Sequence, residues 1–463
     1  MEVNSVKTLS MEANAEKRLS KRVLFAYGCG DFASNLTNTF IGSYLSIYYT
    51  DVVGIAPAVV SMIMLLARIW DGVNDPMFGA IAERTNTKRG RFRPYIFYFT
   101  PLLALSAVLV FMNFGHGTSA VIWAAVTYIA YGMIYTVVNL SYGSLSTVMT
   151  TNPEDISLLN SWRMMGTNLS SVVLSALSPI ILQTLSGSAQ YTNVSYTKVI
   201  LIYAICSIPL FYFLYTNCKE TVYVPKQATK VPISKSLKIV ITNKPLMIIF
   251  AIQLIVMTAF FGRMGVVIYY IMYNLQRPDL IPVLMSLPSL MTIIGIFITK
   301  NHVIKIGKKK MCAIGYIGAG LSLIAMYFTG VTNITALIIL HGLYGLFCFS
   351  FPIPMSMIPE AIDYQEDRTG VRADGISYAT TSLSTKIGLA VGPSAALLIM
   401  GSAGYAANVQ QSATAISGIN GAVNLLFGIL YLCALIPLYL YPLNADVNKE
   451  IRLRLENIQS ENV

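Results

Sequence analysis

Charged residues are scarce in this chain. Only 11% of the 463 residues are Asp, Glu, Lys or Arg, whereas 55% are hydrophobic. Soluble globular chains carry about 25% charged residues. Because a soluble surface cannot be covered with less than half of that charge, the composition excludes a soluble enzyme and a disordered chain. It predicts an all-α integral membrane protein with many spanning helices.

Cysteine and histidine are also rare, with six and three copies. The cysteines fall singly along the chain, without the paired spacing of a zinc site or the pattern of a disulfide scaffold. The sequence shows no nucleophile–base constellation, metal motif or nucleotide-binding loop. We therefore expect neither an enzyme nor a protein with a bound cofactor.

The chain contains instead a series of long apolar runs. A helix that crosses about 30 Å of hydrocarbon needs about 20 mainly apolar residues, and twelve segments meet this requirement. The run after residue 22 is too long for a signal-peptide core, so we interpret it as a retained first helix. The predicted cores are 23–49, 57–82, 94–114, 119–149, 161–184, 198–217, 245–273, 282–300, 311–330, 333–358, 374–401 and 416–441.

The basic residues are concentrated in alternate loops. The net charge is +11, and most of the 32 Lys and Arg residues fall in the two tails or in every second connection between helices. Positively charged loops stay on the cytoplasmic side. The pattern predicts a multi-pass cell-membrane protein with both termini in the cytoplasm. The basic stretches are 1–22, 83–93, 218–244, 300–310, 359–373 and 442–463.

The central basic stretch divides the predicted helices into two sets of six. Gly79 and Gly90 frame the connection after the second helix, and Gly295 and Gly307 frame the connection after the eighth. Two related six-helix halves are the layout of the major facilitator fold. The alternative is that short cytoplasmic loops are generally basic. The predicted parts are a tail (1–22), a bundle (23–217), a central loop (218–244), a second bundle (245–441) and a tail (442–463).

The second predicted helix contains an unusual group of charges. Asp71 and Asp75 are four residues apart and share one helix face, and Arg68 lies three residues before Asp71. A charge at the hydrocarbon centre costs at least ~2.5–3.5 kcal/mol, which makes these residues functional candidates. Two acids with one base leave a negative charge that a proton or monovalent cation could balance. The alternative is an ion-paired packing cluster that binds nothing.

Other polar side chains fall inside the predicted helices. Such groups could converge on a cavity for a polyhydroxylated solute, because sugar hydroxyls need donors and acceptors. Taken singly, each could equally form a hydrogen bond between helices. Lys386 in the second half could pair with an acid of the first half. These residues are Asp31, Ser34, Asn35, Tyr135, Thr136, Asn139, Arg163, Ser382 and Lys386.

One run makes the sequence recognisable. Residues 67–76, which read ARIWDGVNDP, resemble the signature of the glycoside–pentoside–hexuronide:cation symporters, the family of melibiose permease. The resemblance extends over nearly the whole chain outside the tails. The further matches are Gly79, Gly90, Arg93, Pro94, Tyr27, Asp31, Thr50, Asp51, Gly54, Tyr135, Thr136, Ser144, Arg163, Asp363, Tyr364 and Lys386.

The resemblance implies a major facilitator fold and a monomeric sugar or glycoside transporter coupled to H⁺, Na⁺ or Li⁺. It implies a cation site at Asp71, Asn74, Asp75 and Thr136. The position of Arg68, three residues before Asp71 on the same face, makes it the expected charge partner. The positions that match the family's sugar contacts are Ser34, Asn35, Tyr135, Asn139, Gly143, Arg163, Ser382 and Lys386, and Asp31 shares the helix face of Asn35.

Three of these positions depart from melibiose permease. Asn35 and Asn139 stand where that permease has aspartates, and Gly143 stands where it has a tryptophan. The loss of these two negative charges argues against a melibiose-type galactoside as the substrate. A site without them would tolerate an anionic sugar such as a hexuronide. Neutral pentosides and β-glycosides stay open, and having fewer acidic oxygens mildly favours H⁺ over Na⁺.

We expect secondary active transport by alternating access. In this interpretation the basic cytoplasmic loops form a latch with nearby acids in each transport cycle. An uncoupled facilitator, a drug exporter and a non-transporting sugar sensor are the alternatives. The predicted latch residues are Glu83, Arg84, Arg91, Arg93, Asp363 and Glu366.

Overall fold

Each of the first six helices contains most of one predicted apolar run. The computed structural model describes residues 18–85, 87, 89–150, 152–187, 191–221, 241–331, 333–370, 374–444, 447–451 and 453–455. A π-helical turn, Tyr48–Val52, extends the first helix. The helices are α1 (Lys21–Ile47), α2 (Pro57–Arg84), α3 (Arg93–Val110), α4 (Thr118–Met149), α5 (Pro153–Ser186) and α6 (Asn193–Asn217).

The second set of six helices is less regular. α7 (Lys244–Tyr269) is also extended by a π-helical turn, Tyr270–Asn274. α12 includes a third π-helical turn, Gly421–Leu425, within its length. The others are α8 (Ile281–Ile306), α9 (Lys308–Thr329), α10 (Ile334–Phe347 and Ile353–Thr369), α11 (Asp374–Ser402) and α12 (Ala413–Asn420, Leu426–Cys433 and Leu435–Tyr439).

Over the described residues, twelve long helical segments thus occupy the twelve predicted cores. Ten of them are long and apolar enough to cross a membrane. The two helices outside that set are α1 and α2, which carry Asp31, Asp71 and Asp75. The prediction of an all-α membrane protein is confirmed.

The fifth helix begins earlier than its apolar run predicts. Asn152 accepts a hydrogen bond of 2.9 Å from the backbone N–H of Glu154, and Pro153 occupies the first helical position. Glu154 and Asp155 follow in the first turn, where carboxylates interact favourably with the helix dipole. These polar start signals place the helix boundary at Pro153 rather than at residue 161.

The tenth helix differs from its predicted core of 333–358. The α-helix ends at Phe347 and passes through a 3₁₀ turn, Cys348–Ser350, before it resumes at Ile353. It then continues to Thr369 and ends at Gly370, whose φ of +65° suits a glycine cap. Residues 359–369, which the sequence analysis assigned to a loop, are therefore helical.

The chain divides into two compact units. The first comprises the described parts of Met1–Ile55 and Ile69–Lys226, and the second comprises those of Ala56–Arg68 and Gln227–Val463. The opening turns of α2 therefore group with the second unit, where Ser61 Oγ donates to the Ser394 carbonyl oxygen at 3.0 Å.

Each unit contains an equivalent contact between a basic side chain and a helix end. In the first unit, the Arg93 guanidinium donates to the Tyr215 carbonyl oxygen at 2.7 Å, at the end of α6. In the second, Lys309 Nζ donates to the Tyr439 carbonyl oxygen at 2.9 Å, at the end of α12. A cation at a helix C-terminus interacts favourably with the helix dipole. The pair of contacts supports a structural repeat of six helices.

Candidate functional site

The two acids of α2 lie against one face of α4. A Cβ atom added to Gly132 would lie only 2.7 Å from Asp71 Oδ1, so the carboxylate sits where a side chain would otherwise be. One turn further along, the Thr136 hydroxyl donates a hydrogen bond of 2.9 Å to Asp75 Oδ1. Because both pairs have a spacing of four residues, the two helices present matched positions, with Asp71 beside Gly132 and Asp75 beside Thr136.

The same face of α2 contains a buried amide. Asn74 is only 7% exposed, and its Nδ2 atom has no hydrogen-bond partner among the described residues. A buried amide nitrogen without an acceptor costs free energy, which a bound ligand could recover. Arg68 lies one turn before Asp71 on α2 and is half-buried. The predicted cation-site residues Asp71, Asp75 and Thr136 are therefore brought together around α2 and α4.

A second polar cluster joins α1 and α5. Asp31 is 4% exposed and forms an ion pair with Arg163, with 3.4 Å between its Oδ1 atom and the Nε atom of Arg163. The hydroxyl of Thr167 donates a hydrogen bond to Asp31 Oδ2. Thr167 lies one turn after Arg163, so both contacts come from one face of α5. The buried carboxylate thus has a partner for each oxygen, as buried charges require.

Two consecutive residues of α4 surround the Arg163 guanidinium. Its central carbon lies 5.3 Å from the centroid of the Tyr142 ring, which is a cation–π distance. A Cβ atom added to Gly143 would lie 3.4 Å from Arg163 Nη1. Arg163 is one-third exposed while Asp31 is buried. Gly143 therefore lies beside the guanidinium without a side chain of its own to cover it.

The other sugar-site candidates of the first unit lie on α1 and α4. Ser34 is buried, and its hydroxyl has no hydrogen-bond partner in the part of the chain that the structure describes. The Asn35 amide donates to the Asp31 carbonyl oxygen at 2.8 Å. Tyr135 is half-buried and stacks on Tyr131 with ring centroids 5.9 Å apart. Asn139 is half-buried on α4. These side chains can supply donors, acceptors and an aromatic face to a sugar.

The two remaining sugar-site candidates lie on α11, in the second unit. Ser382 is exposed and Lys386 is half-buried. Between them, the buried Ser384 hydroxyl donates to Gln253 Oε1 of α7 at 3.4 Å. Gln253 Nε2 has no hydrogen-bond partner within the described ranges. The sequence analysis missed Gln253 because a single glutamine in an apolar run has no recognisable pattern.

The basic loop after α2 is anchored inside the first unit. Glu220 accepts backbone hydrogen bonds from Arg91 at 2.7 Å, from Phe92 at 2.7 Å and from Arg93 at 3.0 Å. The Arg91 guanidinium donates to the Ala82 carbonyl oxygen at 3.1 Å. The carboxylate of Glu220 therefore fixes the start of α3, where backbone N–H groups favour an anion.

The equivalent region of the second unit has ion pairs of its own. Lys308 lies 2.6 Å from Glu360, and Arg454 lies 2.9 Å from Asp367. Asp363 and Glu366 are half-buried on the same part of α10. The side chains of Glu83 and Arg84 lie outside those that the structure describes. The latch that involves these residues stays a prediction.

Several residues of these clusters carry no signal in the sequence alone. Thr167 and Tyr142 complete the surroundings of Arg163, and Gly132 makes room for Asp71. The only available hint was helical spacing: Thr167 follows Arg163 by four residues, and Gly132 precedes Thr136 by four. Glu220 is 127 residues away from Arg93, so no local pattern connects them.

Comparisons with known proteins show which family the chain belongs to. Residues 26–445 match the model of the family described as MFS/sugar transport protein. The chain is 31% identical over 401 residues to the isoprimeverose transporter of Lactiplantibacillus pentosus, covering 85% of this chain and 83% of that one. It is 28% identical over 446 residues to the glucuronide carrier protein homolog of Escherichia coli (strain K12), covering 95% and 96%.

A solved structure agrees with the fold. A bacterial homologue of the human lysosomal transporter Spinster matches with a TM-score of 0.66 at 13% identity, over 91% of this chain and 97% of that chain. The family match covers the described helices from α1 to α12. The chain is thus a multi-pass membrane transporter for sugars. It belongs to the MFS/sugar transport family, in the glycoside–pentoside–hexuronide:cation symporter group whose helix-2 motif it carries.

Proposed function

We propose that this protein is a cation-coupled symporter that imports a glycoside, pentoside or hexuronide by alternating access. The observation that carries the proposal is the arrangement of Asp71 and Asp75 on α2 against Gly132 and Thr136 on α4. Two carboxylates one turn apart in a membrane helix are costly unless a positive charge accompanies them. A transported proton or monovalent cation meets that need.

The chemistry of the site suits a small, hard cation. Asp71 and Asp75 supply carboxylate oxygens, Thr136 supplies a hydroxyl, and hard cations prefer oxygen ligands. Arg68 places one positive charge on the same helix, one turn before Asp71. A sodium ion would use the oxygens directly, whereas a proton would neutralise one carboxylate of the coupled pair. We favour the proton, because Asn35 and Asn139 leave few other acidic oxygens near the site.

The sugar is proposed to contact the polar residues around Arg163. Ser34, Tyr135 and Asn139 provide hydroxyl, aromatic and amide groups on α1 and α4. In the second unit, Ser382 and Lys386 are the proposed contacts on α11. The positive charge of Arg163 and Lys386 favours an anionic sugar, and Asn35 and Asn139 do not repel one.

The names of the relatives support the substrate class. One similar protein is named for isoprimeverose and another for glucuronides. A third is named as a putative glycoside/cation symporter, at 27% identity over 397 residues. We therefore propose a glycoside substrate whose ring or side group is a pentose or a uronic acid.

Coupling follows from the proposed proximity of the two ligands. Each ligand raises the affinity for the other by the same factor, a coupling of ~1–3 kcal/mol in typical cases. Entry of one positive charge down a potential of 100 mV supplies ~2.3 kcal/mol, which is enough for appreciable sugar accumulation. We also propose that both termini are cytoplasmic, that the protein acts as a monomer, and that the basic loops latch the cytoplasmic side.

The test is uptake of labelled β-xylosides, glucuronides and galactosides into energised membrane vesicles. Wild type should accumulate one sugar class above equilibrium, and Asp75→Asn should only equilibrate it. Asp279→Asn is the matched control, because it removes an exposed carboxylate of an outer loop. Uptake with a sodium gradient, with a proton gradient and with neither identifies the coupling ion.

The outcomes separate the competing functions. Accumulation by Asp75→Asn equal to wild type would show that the acid pair is structural and that the proposed cation site is wrong. Equilibration by wild type under every gradient would indicate an uncoupled facilitator. Binding of sugar without any flux would indicate a sensor.

A further inference from the structure

An apolar groove opens on the outer face of the second unit, between α9 and α10. It has a volume of about 500 Å³ and is lined by Ile314, Ile317, Gly318, Leu321, Ser322, Leu340 and Phe347. A Cβ atom on Gly318 would lie 2.2 Å from the Phe347 ring, so the missing side chain lets the ring pack closely against α9. Ile314, Ile317 and Leu321 are each more than 40% exposed. In a membrane protein such a surface faces lipid.

A group of lysines lies on α9 just before the residues that line this groove. Lys308, Lys309 and Lys310 begin α9, and the first two are already engaged by the protein. Lys308 binds Glu360, and Lys309 binds carbonyl oxygens at the end of α12. Lys310 is exposed and has no hydrogen bond or ion pair with any residue that the structure describes. Its charge is therefore available to a partner outside the protein.

The lysine and the groove lie on one face of α9. Lys310, Ile314, Ile317 and Leu321 are spaced by four, three and four residues, which keeps them on a single helical stripe. At 1.5 Å of rise per residue, Leu321 lies about 16 Å along the helix from Lys310. One leaflet of the hydrocarbon core is about 15 Å thick, half of the ~30 Å bilayer core. The stripe from Lys310 to Leu321 is therefore about as long as one leaflet is thick.

We propose that this groove binds an anionic glycerophospholipid, with its phosphate on Lys310 and one acyl chain along Ile314, Ile317 and Leu321. Basic residues at the membrane surface attract anionic headgroups, and an apolar groove beneath them positions the chain. A free phosphate would use only Lys310 and would leave the groove unexplained. A zwitterionic lipid would fill the groove without using the charge.

The test is native mass spectrometry on delipidated full-length protein in detergent. Phosphatidylglycerol and phosphatidylcholine with the same acyl chains are added separately, and bound lipid is counted. Wild type should bind phosphatidylglycerol about fivefold more tightly, the effect expected of one lysine near the surface. Lys310→Gln should abolish this preference, whereas Lys198→Gln, an exposed lysine on α6, should keep it.

The groove is tested separately from the charge. Ile317→Asn should weaken binding of both lipids, whereas Phe328→Asn should not, because Phe328 is 75% exposed on the same helix but does not line the groove. Equal binding of the two lipids by wild type, or an unchanged preference in Lys310→Gln, overturns the proposal. Displacement of phosphatidylglycerol by millimolar inorganic phosphate overturns it in favour of a simple anion site.

Discussion

The hydroxyl of Thr136 donates a hydrogen bond of 2.9 Å to Asp75 Oδ1. Thr136 is 7% exposed, so water competes little for this bond. The contact holds one oxygen of the carboxylate in a fixed direction. It also connects α2, where the acids are placed, with α4, which carries proposed sugar contacts. The two proposed ligands therefore share a structural element.

Removal of this hydroxyl should lower the affinity for the coupling ion more than it lowers the stability of the protein. We expect Thr136→Val to raise the ion concentration for half-maximal uptake by about tenfold, since hydrogen bonds to charged groups contribute about 1.5–3 kcal/mol. Thr136→Ser keeps the hydroxyl and should stay within about twofold of wild type. Ion titration of sugar uptake in vesicles measures both. An equal loss in the serine and valine variants would contradict the assigned role of the hydroxyl.

A methyl group at Gly132 should displace the other acid. The added Cβ would lie 2.7 Å from Asp71 Oδ1, so the carboxylate has to move, and functional sites tolerate shifts of only about 0.5 Å. We expect Gly132→Ala to reduce concentrative uptake at least about fivefold. Gly79→Ala is the control, because its added Cβ meets no atom within 4 Å. Normal accumulation by Gly132→Ala would show that Asp71 does not need this position.

The ion pair between Asp31 and Arg163 should appear as an interaction energy in a double-mutant cycle. Asp31→Asn, Arg163→Gln and the double variant should show a coupling of about 0.5–3 kcal/mol, the usual range for residues in contact. Arg163→Gln should be the more destabilising single change, because it leaves the buried carboxylate with Thr167 alone. Unfolding of the purified variants in detergent provides the measurement. Strict additivity would contradict a stabilising pair.

Loss of Glu220 should destabilise the first unit. Three backbone N–H groups at the start of α3 donate to its carboxylate, and bonds to charged groups are the stronger ones. We expect Glu220→Ala to lower the free energy of unfolding by about 2–3 kcal/mol, and Glu220→Gln to lower it less. Glu154→Ala, which removes an exposed partner of Arg18, should cost at most about 1 kcal/mol. Thermal unfolding compares the three variants.

The exposed ion pair between Arg277 and Asp279 should not contribute to the pH dependence of uptake. The side-chain hydrogen bonds from Arg277 hold the pKa of Asp279 below its usual value of about 3.9. A depressed pKa means that any stabilisation by this pair is present above the ordinary pKa and is lost only as the pH falls through the lower one. Asp279→Asn should therefore leave the profile of uptake between about pH 5 and 8 unchanged. An altered pH profile in this variant would show that Asp279 does contribute to the pH dependence of uptake.

Part of the site was predictable because it depends on one helix alone. The spacing of Asp71 and Asp75 fixes their common face through the 3.6-residue period, whatever surrounds the helix. The twelve apolar runs were predictable for a similar reason, because the bilayer imposes length and composition on each segment. Boundaries such as Pro153 were missed, because capping residues rather than hydrophobicity decide them.

The sequence by itself determined the membrane class, the number of helices and the placement of acids on α2, since each follows from local composition and periodicity. Only the tertiary structure shows which residues those side chains contact. Asp75 accepts a hydrogen bond from Thr136, and Asp31 pairs with Arg163 and accepts a hydrogen bond from Thr167. Glu220 accepts backbone hydrogen bonds at the start of α3. These partners are 61 to 136 residues apart in the chain. Which helix packs against which, and at what register, depends on the packing of whole helices rather than on any local pattern.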